Sequence, residues 1–207
     1  MGKAVAAYER LIKPGPSRFD AYVQAALKND EAAMEASLTP DEVAGMRLFI
    51  NQNCIYCHKG PLFTDNNFYN VGIPNVEDLP LDMGRFKGIQ TVFSNEFNCL
   101  GTYSDAGLDD CTKLTAIDTQ GLELRGAFKV PSLRNVAETA PYNHAGQYTT
   151  LREVLEHYNR AEPGPFNHTE VRPLNFSDEQ LAQLEAFLRS LSGPLAVDPE
   201  LLDPPID

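Results

Sequence analysis

The sequence predicts a mainly α protein with long irregular loops and few short strands. Three observations predict it: helix-start signatures recur along the chain, a long stretch punctuated by Pro and Gly separates them, and a compact Cys/His motif opens that stretch. Residues 4–12 (AVAAYERLI) read as a helix stopped by Pro14-Gly15-Pro16. Ser17 can cap a second helix over about 18–28, with Phe19, Tyr22, Val23 and Ala26 on one face. Thr39-Pro40-Asp41-Glu42 supplies a capping Thr, a Pro at the first helical position and the Glu of a capping box. Val43, Met46, Phe49 and Ile50 follow at helical spacing, and that helix is expected to run into Cys54.

Residues 59–148 read as loop with a few short strands, broken by Pro61, Gly72, Pro74, Pro80, Gly84, Gly88, Gly101 and Gly107. An irregular region of that length needs a cofactor or a disulfide to hold it. Thr150-Leu151-Arg152-Glu153 is a further capping box, opening a helix to about Asn159. Ser177-Asp178-Glu179-Gln180 opens the last helix, whose apolar stripe is Leu181, Leu184, Phe187, Leu188 and Leu191, with Gly193 just beyond its end. The tail 194–207 carries four Pro and four acids with no base, and is expected to be extended.

A length of 207 residues allows one large domain or two small ones. The formal net charge of −12 argues against nucleic acid, whose phosphates need Lys and Arg, and favours basic partners. No window approaches 18 consecutive apolar residues, so no membrane-spanning helix is expected. The first residues, Met1-Gly2-Lys3-Ala4-Val5, show no apolar core or cleavage site of an export signal.

Cys54-Ile55-Tyr56-Cys57-His58 is C-x-x-C-H. The spacing lets each thiol add to one vinyl group of a haem while the adjacent imidazole reaches the iron, so the motif reads as c-type haem attachment, with Cys54 and Cys57 covalent and His58 the proximal ligand. The competing readings are a redox dithiol, half of a zinc site, or chance. Cys99 and Cys111 are too far apart to complete a zinc site, and no βαβ pattern surrounds the motif. The motif at the end of a well-capped helix, with a leucine-rich helix closing the chain, predicts a cytochrome c-like haem domain. Covalent haem implies maturation outside the cytoplasm. There Cys99 and Cys111 suit a disulfide, which would stabilise the irregular region by roughly 3 kcal/mol; the alternative is two buried free thiols.

Two segments, GMRLFINQNCIYCHKGPLFTDNNFYNVGIP (45–74) and GAFKVPSLRNVAETAPYNHAGQYTTLREVLEHYNR (126–160), resemble the C-terminal haem domain of bacterial di-haem cytochrome c peroxidases and MauG-like proteins. The last helix start and LEAFLRSL (184–191) are also similar, and AVAAYERLIKPGPSRFDAY (4–22) resembles the segment joining the family's two haem domains. The resemblance implies three parts: an inter-domain helical segment (1–38), a haem domain (39–193) and the Pro-rich acidic tail (194–207). Relatives carry two haems, whereas this chain has one C-x-x-C-H and lacks the Trp that lies between the haems in relatives.

The second axial ligand has six candidates: Tyr158, His157, His144, His168, Met83 and Met46. The resemblance points to Tyr158, a position that holds Met in the peroxidases and Tyr in MauG. Periodicity also favours it, since Leu151, Val154, Leu155 and Tyr158 share a face. His157 lies about 100° away and is expected to face solvent. The bland reading of Tyr158 is a core tyrosine whose hydroxyl finds a partner; Met83 is the rival ligand. His144 in the PYNH segment matches a family position near the haem and reads as structural, and His168 reads as a surface residue. Arg134 is a candidate for a haem propionate, with a surface salt bridge as the alternative. The resemblance also implies calcium between the domains, held by backbone carbonyls of Thr139 and Pro141.

Three functions compete. The first is an electron-transfer haem domain of a di-haem peroxidase/MauG-like oxidoreductase in the periplasm, relaying electrons between a basic donor protein and a second haem domain or subunit. The others are a self-contained mono-haem peroxidase or electron carrier, and a structural module with a buried haem.

Overall fold

The computed structural model describes residues 2–117, 119 and 121–203. Two long helices make its frame. The capping box at Thr39 starts helix α4 (Pro40–Asn51), and the box at Ser177 starts helix α9 (Asp178–Ser190). Ahead of them lie α1 (Gly2–Glu9), α2 (Arg18–Leu27), capped by Ser17, and α3 (Glu31–Ser37), capped by Asp30. The motif forms one turn, α5 (Cys54–Cys57). The irregular region contains α6 (Arg85–Ser94) and α7 (Thr112–Thr115), and α8 (Leu151–Arg160) precedes α9.

The strands are two residues each. Phe68–Tyr69 (β2) pairs antiparallel with Phe128–Lys129 (β3), tying the segment after the motif to the segment before Arg134. Lys13–Pro14 (β1) pairs with Leu195–Ala196 (β4). The tail is therefore not a free extension over its described part, because the backbone of β1 offers it hydrogen bonds. A 3₁₀ turn, Pro199–Leu201, follows; residues 204–207 of that tail lie outside the described residues.

Close approach of α4 and α9 sets the core. A Cβ on Gly45 would stand 1.9 Å from the Gln183 carbonyl oxygen and 2.9 Å from Phe187 Cβ. Only a residue without a side chain lets the helices touch there. Phe49, Phe63, Leu155, Phe176 and the α9 stripe Leu181, Leu184, Phe187, Leu188 and Leu191 are buried together. The stripe is fully internal, while Ile50, expected on the apolar face of α4, is 45% exposed. Met46 packs against this core, which accounts for it without a ligand role.

The described front segment, residues 2–38, is built into the same body. Phe19 of α2 meets Phe63 and Phe187 edge-on. Arg18 pairs through both guanidinium nitrogens with the buried Glu42 at the start of α4. Arg134 grips both oxygens of Asp20 at 2.5 and 2.7 Å and donates to the Pro61 carbonyl at 2.9 Å. This commitment, made across 114 residues, leaves Arg134 to a part-buried ion pair and not to a propionate.

Two outcomes follow. Gly45→Ala lowers stability by about 3 kcal/mol, read by denaturant unfolding, because backbone and not a flexible side chain must move. The Arg134 guanidinium holds the Asp20 carboxyl down at about 2, against an ordinary 3.8. Because the folded value is depressed, this pair stabilises the fold above about pH 4, and its contribution of about 2 kcal/mol is lost as pH falls toward 2. Asp20→Asn flattens that part of the acid-unfolding curve.

Candidate haem site

Helix α4 does not run on into the motif. Asn53 takes the left-handed conformation (φ 61°) and breaks it, so that the turn Cys54–Cys57 starts afresh on a new axis. Both thiols are free and half-buried, three residues apart on that turn. Burial pushes the Cys54 thiol up to about 11, and burial followed by the nearby Asp65 carboxylate pushes Cys57 upward. Tyr69 of β2 donates its hydroxyl to Asp65 at 2.8 Å.

His58 is oriented by one bond. Its Nδ1 lies 2.9 Å from the Phe63 carbonyl oxygen, which can only accept, so Nδ1 carries the proton and Nε2 keeps its lone pair. Burial holds the imidazole below its ordinary pKa, which favours the neutral form that a metal needs. The loop that supplies Phe63 is fastened at several points. Asp65 N–H donates to the Cys57 carbonyl at 2.9 Å, Thr64 Oγ1 to the Val130 carbonyl at 2.7 Å, and Ser132 Oγ to the Leu62 carbonyl at 2.7 Å. Phe49 of α4 lies beside the imidazole, 6.4 Å between ring centroids.

Tyr158 lies on α8 within electrostatic reach of both thiols. Burial drives its phenol well above the ordinary tyrosine range, with Cys54, Cys57 and Tyr148 acting in the same direction. Its hydroxyl has no hydrogen-bond partner among the described residues. Its neighbour His157 is buried and does not face solvent, contrary to the expectation from helix periodicity. Its Nε2 donates to the Val71 carbonyl at 2.7 Å, leaving Nδ1 to accept from the Tyr148 hydroxyl at 3.0 Å. Both ring nitrogens are satisfied, and they clamp α8 to the loop at residue 71. Sequence reasoning missed this clamp and the Phe63 carbonyl; the Tyr at 148, nine residues before His157, was the available signal.

The remaining candidates sit elsewhere in the fold. His144 stacks flat on Phe128, 3.6 Å between centroids and 9° between planes, beside Gln147 and a cleft of about 170 Å³. Met83 is in the turn before α6, and its carbonyl accepts from Gly126 N–H at 3.2 Å. His168 is exposed. Thr139 closes the 3₁₀ turn Val136–Glu138, its hydroxyl donating to the Val136 carbonyl, and Pro141 is exposed beyond it. Among the described residues no group of three or more His, Cys, Asp or Glu side chains gathers to hold a metal ion. Cys99 and Cys111 form a disulfide. No helix among the described residues is long and apolar enough to cross a membrane.

Over 194 residues the chain is 34% identical to the cytochrome-c peroxidase IdrP1 of Denitromonas iodatirespirans, covering 91% of this chain and 48% of that protein. The chain belongs to the di-haem cytochrome c peroxidase and MauG-like family. The methylamine utilization protein MauG of Methylorubrum extorquens is 29% identical over 197 residues, covering 94% of this chain and 44% of that protein. Among solved structures, the diheme peroxidase BthA of Burkholderia thailandensis superposes with a TM-score of 0.56 at 26% identity, covering 86% of this chain and 46% of that one. A MauG-like protein associated with microbial copper homeostasis gives 0.55 at 25% identity, covering 91% and 54%. No protein-family model matches. The chain spans about half the length of the curated relatives it matches.

The residues present fit a covalently held haem: two free thiols on one turn, an adjacent imidazole with Nε2 bare, and a part-buried phenol with no hydrogen bond among the described residues. The His157 clamp is testable by itself. Tyr148→Phe lowers stability by about 1 kcal/mol and His157→Phe by about 2–3 kcal/mol, since the latter leaves the Val71 carbonyl unpaired. Denaturant unfolding of the two variants checks the order.

Proposed function

We propose that this chain is a c-type haem electron-transfer domain of a periplasmic peroxidase/MauG-like oxidoreductase. In this reading it passes electrons between a donor protein and a second haem site outside the chain. A haem bound here supplies one-electron iron chemistry. The observation that carries the reading is the unpartnered Tyr158 hydroxyl within electrostatic reach of the motif cysteines.

The chain's own residues then divide the work. Cys54 and Cys57 would hold the group by thioether bonds. His58 offers Nε2 while the Phe63 carbonyl retains the proton on Nδ1 and fixes the ring. Tyr158 would offer its phenol oxygen to the iron, losing its proton as it did so. A phenolate is a hard anion and favours the higher oxidation state. Were His58 and Tyr158 both to hold the iron, peroxide would have to displace one of them, which suits a relay and not a peroxide-cleaving centre. The buried, satisfied His157 holds the helix that carries Tyr158.

The optical spectrum of the haem-loaded ferric protein tests this. The expected result is a six-coordinate spectrum unaltered by cyanide or peroxide, converted by Tyr158→Phe to a form that binds cyanide. A wild-type spectrum with an open position and rapid reaction with peroxide contradicts the relay, and an unchanged spectrum in Tyr158→Phe removes Tyr158 from the ligand role.

A further inference from the structure

We propose that residues 93–111, the end of α6 and the following loop that the Cys99–Cys111 disulfide pins, are a docking surface for a basic protein, one that presents Lys and Arg around a small apolar spot. The loop leaves the end of α6. Its Phe97 and Tyr103 rings stack on each other, 5.0 Å between centroids and 21° between planes, yet they are 71% and 67% exposed. Leu108 and Leu100 are exposed on the same loop, and Phe93 on the last turn of α6. A cluster of exposed aromatic and aliphatic side chains is the composition of an interface centre and not of ordinary surface.

The loop is a rigid frame. The Cys99–Cys111 disulfide closes it, and Cys111 is buried. Asn98 Nδ2 donates to the Val92 carbonyl at 2.8 Å while its Oδ1 accepts from Leu100 N–H at 2.7 Å. Asn95 Oδ1 accepts from Phe97 N–H at 2.8 Å. The chain folds back so tightly that a Cβ on Gly101 would stand 1.9 Å from the Glu96 carbonyl oxygen. Aromatic rings held on such a frame lose little further freedom on binding, which is how preorganised surfaces gain affinity.

Charge selects the occupant. Glu96, Asp105, Asp109 and Asp110 are the ionisable residues between Phe93 and Cys111 besides the disulfide cysteines and Tyr103, and no Lys, Arg or His interrupts them. Asp105 pairs with Lys3 of α1, and the Asp110 carboxylate also accepts from Gly107 N–H. Glu96, Asp109 and Asp110 have no ion-pair partner among the described residues. An apolar centre with an acidic rim attracts a cationic protein and repels an anionic lipid surface. It also repels a second copy of a chain whose net charge is −12. This surface extends the electron-transfer reading by giving a partner a place to sit; its test reads binding and not electron transfer, so the two proposals fail separately.

The test is calorimetric titration of the haem-loaded protein with a lysine-rich cytochrome c as probe. Saturable binding that weakens steeply with added salt is expected. Phe97→Ala with Tyr103→Ala weakens binding about tenfold or more, as does Glu96→Lys with Asp109→Lys. Glu35→Lys with Glu179→Lys, the same charge change at exposed sites on α3 and α9, leaves affinity within about twofold. All these side chains are exposed, and an unchanged haem spectrum verifies folding. No binding at low salt, wild-type affinity in the double alanine variant, or equal loss in the control pair each overturns the proposal. So does a wild-type dimer, seen by sedimentation, that the alanine pair dissociates.

Discussion

The crossing of α4 over α9 at Gly45 is the constraint on which the rest depends. With no side chain at 45, the two backbones meet, and Phe187 and Phe49 interlock, 5.3 Å between ring centroids. Phe49 then fixes two things at once: the place of Phe63, whose carbonyl orients His58, and the end of α4, from which Asn53 turns the chain into the cysteine motif. The chemistry-bearing residues lie on a single turn and a short loop with little regular structure of their own. Their geometry is inherited from the helix pair beneath them.

The front segment contributes to that inheritance. Phe19 joins the aromatic cluster by meeting both Phe63 and Phe187, and Asp20 neutralises Arg134 where the strap 128–134 crosses the loop after the motif. Helix α2 therefore acts on the candidate site through packing and charge, although none of its residues was a candidate ligand. Arg134 also lies over the Phe63 ring, 5.3 Å from its centroid, so ion pair and aromatic cluster meet at one point.

What was legible in the sequence was local. The capping boxes at Thr39, Thr150 and Ser177 form as read because cap and acceptor are three residues apart. The α9 stripe is buried because its period alone identifies the face. The motif residues are local too, and they do sit on one turn. What was illegible depended on distant partners. His157 is buried because a carbonyl 86 positions away accepts its proton. The tail pairs with β1 from the far end of the chain. Helix α6 was hidden in a stretch that Gly84 and Gly88 made to look like loop, yet Gly84 serves as its N-cap and Gly88 is accommodated within it. The break at Asn53 is a single left-handed residue, which an uninterrupted run of helix-compatible residues does not announce.

The proposed function requires that Cys54, Cys57 and His58 hold one haem covalently in this chain. Intact-mass spectrometry of protein produced with the c-type maturation machinery, read beside its pyridine haemochrome spectrum, tests it most directly. The predicted result is the polypeptide mass increased by one haem, with the spectrum of two saturated vinyl groups, both lost in Cys54→Ser with Cys57→Ser. An apo mass with free thiols, bound zinc in place of haem, or haem that washes off under denaturing conditions would contradict it.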